Sequence, residues 1–329
     1  MPVEQDDFRP WGSCYKWALH VKRPFTRFIG VDLGGGRGKT TAVAEIRSSA
    51  PPAPPRHPQI APTSQVAQLA PQADPDSRPE GAEVIEVATR STKQPWTDET
   101  LVERLLAASP EATVIAIDAP LTQAACSRCE RPVCPGMEAC PEPAVVWLRT
   151  EGRALVRRSS SLVAGGGTRP APTPPSAQAR LAPYAHRATD VLLTYGRGLL
   201  PVPALGTVNG AISARAGQLR RRLRGVGYEL HHNLVEVSPA ATITALCGPR
   251  AARGYKRDAD PWVTRASILE QLRDLTFARQ SRMAREDVLQ SDHCFDAVIA
   301  AYTAYLWARD GWSAPDGCFV DDGWIVAPP

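Results

Sequence analysis

The chain has 329 residues, of which 43% are hydrophobic, and a formal net charge of +4. This length accommodates one large or two modest domains, and the mild positive charge does not by itself indicate a nucleic-acid partner. No apolar run approaches the roughly 18 residues that a membrane span needs, and Asp6, Asp7 and Arg9 lie where a signal peptide would be apolar. We therefore expect a cytoplasmic protein with no membrane partner.

The main part of the chain begins with a predicted β-hairpin. Strand-forming residues at 28–32 and 40–46 flank a glycine-rich turn at 34–38. The residues before it, 1–26, show no clean period and are assigned only as an N-terminal extension. Residues 48–80 contain nine prolines and lack apolar periodicity, which indicates a disordered or extended Pro-rich insertion.

Strands alternate with helices in the rest of the chain. Thr97 is a predicted helix N-cap, because acidic residues and then apolar residues at helical spacing follow it. The apolar run 112–119 is typical of a strand buried on both faces. This alternation favours an α/β fold, a mixed sheet flanked by helices. The other predicted elements are a strand at 84–87, helices at 188–199 and 211–224, a strand at 233–237, a helix after Thr264 and a last helix at 291–308.

Carboxylates recur at the ends of the predicted strands and at the start of the last helix. They are Asp32, Asp118, Glu236, Asp292 and Asp296. The last two are four residues apart and share one helical face, where their like charges repel unless a cation offsets them. Three of these carboxylates could instead have a purely structural role. Asp32 could belong to the glycine-rich turn, Glu236 could face outward from its strand, and Asp292 could lie beside the helix cap.

If these carboxylates converge, Mg²⁺ or Mn²⁺ is the expected cofactor, because a cluster without a cation would repel itself. Two such ions about 3.5–4 Å apart activate water and stabilise the leaving oxygen in phosphodiester hydrolysis. The sequence therefore predicts a metal-dependent nuclease that acts on DNA or RNA. The candidate phosphate-binding residues are Lys256, Arg220, Arg221 and Arg222. For the arginines, a solvated helix face is the alternative.

Four of the eight cysteines, Cys126, Cys129, Cys134 and Cys140, lie within fifteen residues. Since the cytosol keeps thiols reduced, this spacing indicates a metal site and not a disulfide framework. Zn²⁺ is the expected ion; a 4Fe-4S cluster and unligated thiols are the alternatives. The cysteines belong to a second predicted insertion, residues 122–183, which also contains a flexible stretch rich in glycine and proline.

Four segments of the chain, taken in order, resemble a known family. They read FIGVDLGGGRGKTTAVAEI, VIAIDAPL, LVEVSPAATITAL and SDHCFDAVIAAYTAYLWA. The family is domain-of-unknown-function family 429, regarded as predicted nucleases of the RNase H-like superfamily; the last segment also resembles the final helix of RuvC-type resolvases. The resemblance implies an RNase H-like domain over residues 27–329. It also implies metal ligands at Asp32, Asp118, Asp292 and Asp296, with Glu236 matching the family's acidic strand position.

Other classes of function stay open from the residues alone. The segment LGGGRGKTT is similar to a phosphate-binding loop, but Leu33 stands at its first glycine position and a strand-like segment follows it. An actin-like or sugar-kinase-type ATP-binding protein begins in a similar way but needs the fold twice, and the chain predicts one set of strands. A non-catalytic nucleic-acid or protein-binding module of a larger complex would use the cysteine cluster and the arginines as docking surfaces.

Overall fold

A computed structural model of the chain describes residues 22–35, 40–48, 81–164, 181–199, 210–279, 281 and 283–329. Three predicted segments therefore lie largely outside the described residues: the N-terminal extension, the Pro-rich insertion and the glycine- and proline-rich stretch of the second insertion. The strands are β1 (Arg27–Asp32), β2 (Ala42–Ser48), β3 (Ala82–Ala88), β4 (Thr113–Asp118), β5 (Leu234–Val237), β6 (Leu275–Phe277) and β7 (Ile325–Val326).

The seven strands found among the described residues belong to one mixed sheet, in the order β6-β3-β2-β1-β4-β5-β7. β1 to β3 form an antiparallel meander, which confirms the predicted hairpin, whereas β4 is parallel to β1 and β5 is parallel to β4. In the sheet, β2 and β3 lie on one side of β1, whereas the later strands β4 and β5 lie on its other side. In α/β sheets, ligands bind beyond the carboxyl ends of the strands at such a reversal of strand order.

Helices cover both faces of this sheet. Thr97 caps α1 through a capping box, as predicted, and π-helical turns lie between α2 and α3 and directly after α4. The helices are α1 (Asp98–Leu106), α2 (Pro143–Trp147), α3 (Arg153–Ala164), α4 (Ala188–Val191), α5 (Gly210–Arg224), α6 (Pro239–Arg257), α7 (Pro261–Gln271), α8 (Arg285–Gln290), α9 (Asp292–Asp310) and α10 (Phe319–Asp322).

The core of one face is built around α9, which contacts β1, β2, β3 and β4. Every residue of this helix from Cys294 to Ala308 is buried, because α6 and α8 cover the side that does not face the sheet. The apolar stripe predicted for it, which includes Phe295 and Ile299, is thus confirmed as core, but burial extends all round the helix. On the opposite face, α1 and α5 pack their leucines against β1 and β4.

Several elements differ from the sequence expectation. The helix expected after Thr264 begins earlier, at Pro261, and a whole helix before it, α6, was not predicted. Gly248, with a φ of 86°, interrupts α6 directly before Pro249, and this Gly-Pro pair hides the helical pattern. The second predicted insertion contains regular structure, since α2 and α3 lie in it. Among the described helices, none is long and apolar enough to cross a membrane.

Candidate active site

The carboxyl ends of two central strands bring two of the predicted acidic residues together. Asp32 ends β1 and Asp118 ends β4, and the two are direct partners in the register of this parallel pair. Neighbouring strands lie about 4.8 Å apart, so partner side chains at strand ends are adjacent. The four residues directly before each of them, 28–31 and 114–117, are buried and uncharged, which fixes the two backbones.

A third carboxylate reaches the same place from α9. One ligand oxygen each of Asp32, Asp118 and Asp296 lies within 4.8 Å of the other two. Asp296 is only 1% exposed, and its Oδ1 is buried without a hydrogen-bond partner among the described residues. Charged groups are rarely buried in this way without a counter-charge. The three residues, the acidic triad hereafter, therefore form a centre that favours a cation.

Burial and mutual repulsion both act on the acidic triad. Burial raises the pKa of Asp118 well above its usual range, and the carboxylates of Asp296 and Asp32 raise it further. Burial also raises the pKa of Asp296 to about 6; Asp32 adds to this rise and Lys256 opposes it. A bound cation would remove the repulsion that disfavours the ionised forms.

Lys256 is a positive group in contact with the triad. It lies in the last turn of α6, and its Nζ is 2.5 Å from Oδ2 of Asp296. Burial by itself would lower the pKa of Lys256, but the carboxylates of the triad, Asp296 foremost, raise it. Its side chain keeps 42% of its surface exposed. The residue predicted as a phosphate ligand thus lies beside the acidic triad and is accessible from solvent.

His293 is a residue of this centre that the sequence analysis overlooked. Its Nδ1 donates to Oδ2 of Asp32 at 2.5 Å, and this hydrogen bond raises the pKa of His293. Residues three apart share a helical face, so His293 and Asp296 both point at the strand ends. The His-x-x-Asp spacing was the available signal. Asp292 lies one turn earlier, outside the triad, and its Oδ1 accepts from the backbone amide of His293.

Glu236 lies near the triad but is paired with an arginine. It is in register with Ile117, the neighbour of Asp118, and it is 3% exposed. Arg187, which is fully buried, donates to Oε1 of Glu236 at 2.6 Å and to Oε2 at 2.8 Å. The amide of Leu121 also donates to Oε2, at 2.8 Å. Both oxygens of Glu236 therefore already have partners. No local sequence signal indicates this pairing, because Arg187 is 49 residues away in the chain.

A small pocket of about 130 Å³ lies at the strand ends, lined by Asp32, Asp118, Glu236, Ser238 and Ile212 among others. Pockets that enclose a drug-sized ligand are typically several times larger, about 300–1,000 Å³. This volume suits an ion, a water or a single phosphate group. A larger substrate would have to lie across the surface.

The predicted phosphate-binding arginines of α5 divide into two kinds. Arg220 is partly buried and donates to the carbonyl of Leu121 at 3.0 Å, so it holds the loop that follows β4. Arg221 and Arg222 are exposed. Arg215, on the same helix, donates to the carbonyl of Gly34 and to Asp98, both at 2.6 Å. Helix α5 is thereby attached to the loops that follow β1 and β4, directly beyond Asp32 and Asp118.

The four clustered cysteines share one region but do not converge closely. Cys126, Cys129 and Cys140 line a cavity of about 540 Å³ together with Arg128 and Glu142. Burial and the other three cysteines raise the pKa of Cys126. Within the described part of the chain, no three of the four sulfurs come within 4.8 Å of one another. Metal binding by these cysteines stays a prediction.

The comparisons with known proteins identify a family. A search of the curated proteins and of the solved structures found no match. One protein family matches residues 76–317, more than half of the chain, and this range includes Asp118, Glu236, Lys256 and Asp296 but begins after Asp32. The chain belongs to this family, which is described as Protein of unknown function (DUF429).

Proposed function

We propose that the protein is a divalent-metal-dependent nuclease that hydrolyses phosphodiester bonds of DNA or RNA at the acidic triad. The observation that carries the proposal is the convergence of Asp32, Asp118 and Asp296, from two strand ends and a buried helix, to within 4.8 Å. These three carboxylates are separated by 86 and 178 residues in the chain, so it is the fold that brings them together at one centre. Lys256 and His293 offset their negative charge only in part, so a cation at this centre would be favourable.

The proposal includes an RNase H-like fold for residues 27–329. It is supported by the central strands β3-β2-β1-β4-β5, in which an antiparallel meander is followed by parallel strands. It is also supported by the order of the four sequence segments, whose acidic residues fall at the ends of β1 and β4, in β5 and in α9. Helices on both faces of the sheet agree with this architecture.

The residues of the triad fit a hard divalent cation. Three carboxylates form an all-oxygen donor set of the kind that Mg²⁺ and Mn²⁺ prefer. Oδ1 of Asp296 is buried and has no hydrogen-bond partner in the part of the chain that the structure describes, so it is available as a ligand atom. When bound there, such an ion would lower the pKa of a water and stabilise negative charge on a phosphate. Asp32, Asp118 and Asp296 would hold the ion.

The side chains around the triad would bind and orient the substrate. Lys256 is partly exposed beside Asp296, where its ammonium can pair with a phosphate oxygen. His293 is 43% exposed beside Asp32, so its second ring nitrogen can contact a phosphate or a water. Arg221 and Arg222 are exposed on α5 and would contact the nucleic-acid backbone further away.

The non-catalytic binding module is the second candidate, and two contacts favour it. Lys256 on Asp296 and His293 on Asp32 partly neutralise the triad without any ion. In that function the same fold would present α5 and the cysteine region as docking surfaces. Binding of Mg²⁺ or Mn²⁺ at the triad separates the two functions, since a module that only docks does not need it.

We also propose that Cys126, Cys129, Cys134 and Cys140 hold a structural Zn²⁺, with a 4Fe-4S cluster as the alternative. Support comes from their short spacing and from the cavity that three of them line. Arg149 donates to the carbonyl of Cys140 at 2.8 Å and to that of Met137 at 3.1 Å, which attaches the cysteine loop to the helical segment 143–164. The loop itself has little apolar core, so a metal would stabilise it.

The test is an activity screen on single-stranded, duplex and branched DNA and RNA, with Mg²⁺ or Mn²⁺. We expect cleavage by the wild type, none by Asp118→Asn and wild-type cleavage by Asp316→Asn. Asp316 is an exposed aspartate far along the chain, so its variant is a control for the loss of one carboxylate. Wild-type cleavage by Asp118→Asn, or metal-independent cleavage, would contradict the proposed site.

A further inference from the structure

The centre offers fewer free carboxylate oxygens than its acidic residues suggest. Both oxygens of Glu236 accept hydrogen bonds from Arg187, which also donates to Asp190 at 2.8 Å. All three of these side chains are buried. Removing one partner of a buried ion pair leaves an uncompensated charge, which is strongly unfavourable. The charge of Glu236 is therefore already balanced by Arg187, so Glu236 adds little net negative charge to a metal centre.

Lys256 is held in place beside the triad by the packing of its own helix. Its neighbour Tyr255 is buried, and the Tyr255 ring lies 5.7 Å from the ring of Phe295 on α9, centroid to centroid. Phe295 directly precedes Asp296. The backbone that carries the ammonium is thus packed against the helix that carries its carboxylate partner, so the contact of 2.5 Å follows from the core of the protein.

The formal charges then determine how much further positive charge the centre accommodates. The three carboxylates and the ammonium leave two negative charges, and a protonated His293 on Asp32 reduces them to one. One divalent ion is therefore enough to balance the centre. A second divalent ion would leave excess positive charge in a largely buried centre, and the charge of the neighbouring Glu236 is already paired. Oδ1 of Asp296, which has no hydrogen-bond partner among the residues described, would be a ligand atom for this ion, while Oδ2 stays with Lys256.

We propose that the acidic triad takes one divalent cation, and not the pair of ions common in phosphodiester hydrolysis, because Lys256 supplies the remaining positive charge. This inference rests on the proposed function. Lys256 contacts Asp296 on one side and is accessible to solvent on the other, so its ammonium lies where it can also meet a substrate phosphate. A two-ion centre would need Lys256 to leave Asp296.

The first experiment counts ions by calorimetric titration of the intact protein with Mn²⁺, which prefers oxygen over thiolate ligands. The number of Mn²⁺ ions bound per chain by the wild type, minus the number bound by Asp118→Asn, gives the number of ions at the triad. We expect one ion per chain, with the electron paramagnetic resonance spectrum of an isolated Mn²⁺. Two ions with spin coupling would overturn the inference and leave the proposed function intact. No Mn²⁺ binding at all would overturn the proposed function itself.

The second experiment tests Lys256 with three variants, each checked for an unchanged melting profile. In Lys256→Gln the competing charge is gone, so we expect Mn²⁺ to bind at least about tenfold more tightly while cleavage slows. Lys256→Arg keeps the charge and should keep the wild-type affinity. Lys93→Gln removes an exposed lysine elsewhere and should match the wild type in both measurements. Unchanged Mn²⁺ affinity in Lys256→Gln would show that Lys256 takes no part in the charge balance.

Discussion

Gly30 in β1 lies directly against the backbone of α9 at Ala297. A Cβ atom at position 30 would collide with the carbonyl oxygen of Ala297 and with the amide nitrogen of Ala301. The absence of a side chain thus allows the helix to approach the strand two residues before Asp32. This close approach places Asp296, the residue before Ala297, beside the end of β1.

We therefore expect Gly30→Ala to move α9 and to separate Asp296 from Asp32. Overpacking of a core typically costs about 1–3 kcal/mol of unfolding free energy, and here the colliding atoms belong to a backbone. Denaturant unfolding and Mn²⁺ titration should both show a loss. Gly210→Ala is the matched control, because nothing lies within 4 Å of the added Cβ. Wild-type Mn²⁺ affinity in Gly30→Ala would mean that this contact does not position the triad.

The raised pKa of Asp296 predicts how stability depends on pH without added divalent ions. The folded-state pKa is about 6 and the ordinary value is 3.8. The folded protein thus binds this proton more tightly than the unfolded chain does, which stabilises the fold. This stabilisation is fully present below about pH 4 and is lost as pH rises through 6. The shift of the pKa corresponds to a contribution of roughly 3 kcal/mol at most to the free energy of unfolding.

Melting temperatures measured between pH 4.5 and pH 7 test this dependence. The wild type should lose stability towards pH 7, whereas Asp296→Asn should lose less, since it has no carboxylate to ionise there. Saturating Mg²⁺ should remove most of the difference, because the ion stabilises the ionised form. A melting profile of Asp296→Asn as steep as that of the wild type would assign the pH dependence to other groups.

The buried pair of Arg187 and Glu236 should matter for stability more than for chemistry. Arg187→Met leaves Glu236 and Asp190 buried without their counter-charge, and breaking such a pair typically costs about 3–5 kcal/mol. Glu236→Gln, which keeps the shape and leaves Arg187 paired with Asp190, should cost less. Chemical denaturation of both variants and of the double variant gives the coupling. If Glu236→Gln alone abolished Mn²⁺ binding with little loss of stability, Glu236 would be a metal ligand.

The cysteine loop should contain about one zinc ion per chain, bound by four sulfurs. We expect replacement of Cys126, Cys129, Cys134 and Cys140 by serine to remove the zinc and to loosen the loop. Elemental analysis and X-ray absorption at the zinc edge measure the ion and its sulfur ligands. Cys247→Ser, at a half-buried cysteine of α6, is the control and should keep the metal. Iron with a visible charge-transfer band would indicate a 4Fe-4S cluster, and a metal-free protein would contradict both.

The sequence by itself determined the elements that carry strong local patterns. The hairpin of β1 and β2, the Thr97 cap and the apolar run of β4 could all be predicted, because turn residues, capping and hydrophobic periodicity act over a few neighbouring residues. The same patterns placed Asp32 and Asp118 at strand ends and Asp296 near the start of α9. Three residues of the centre were therefore identified before the fold was known.

Only the tertiary structure decided which of the other polar residues join that centre. The strands β6 and β7 have three and two residues, too short for any period, and exist through pairing with β3 and β5. Glu236 is paired because Arg187, at the N-terminus of α4, reaches it. His293, and not the predicted Asp292, contacts Asp32 because of the orientation of α9 on the sheet. Such contacts join residues far apart in the chain, and their free energy depends on burial and distance, which no local pattern of residues encodes.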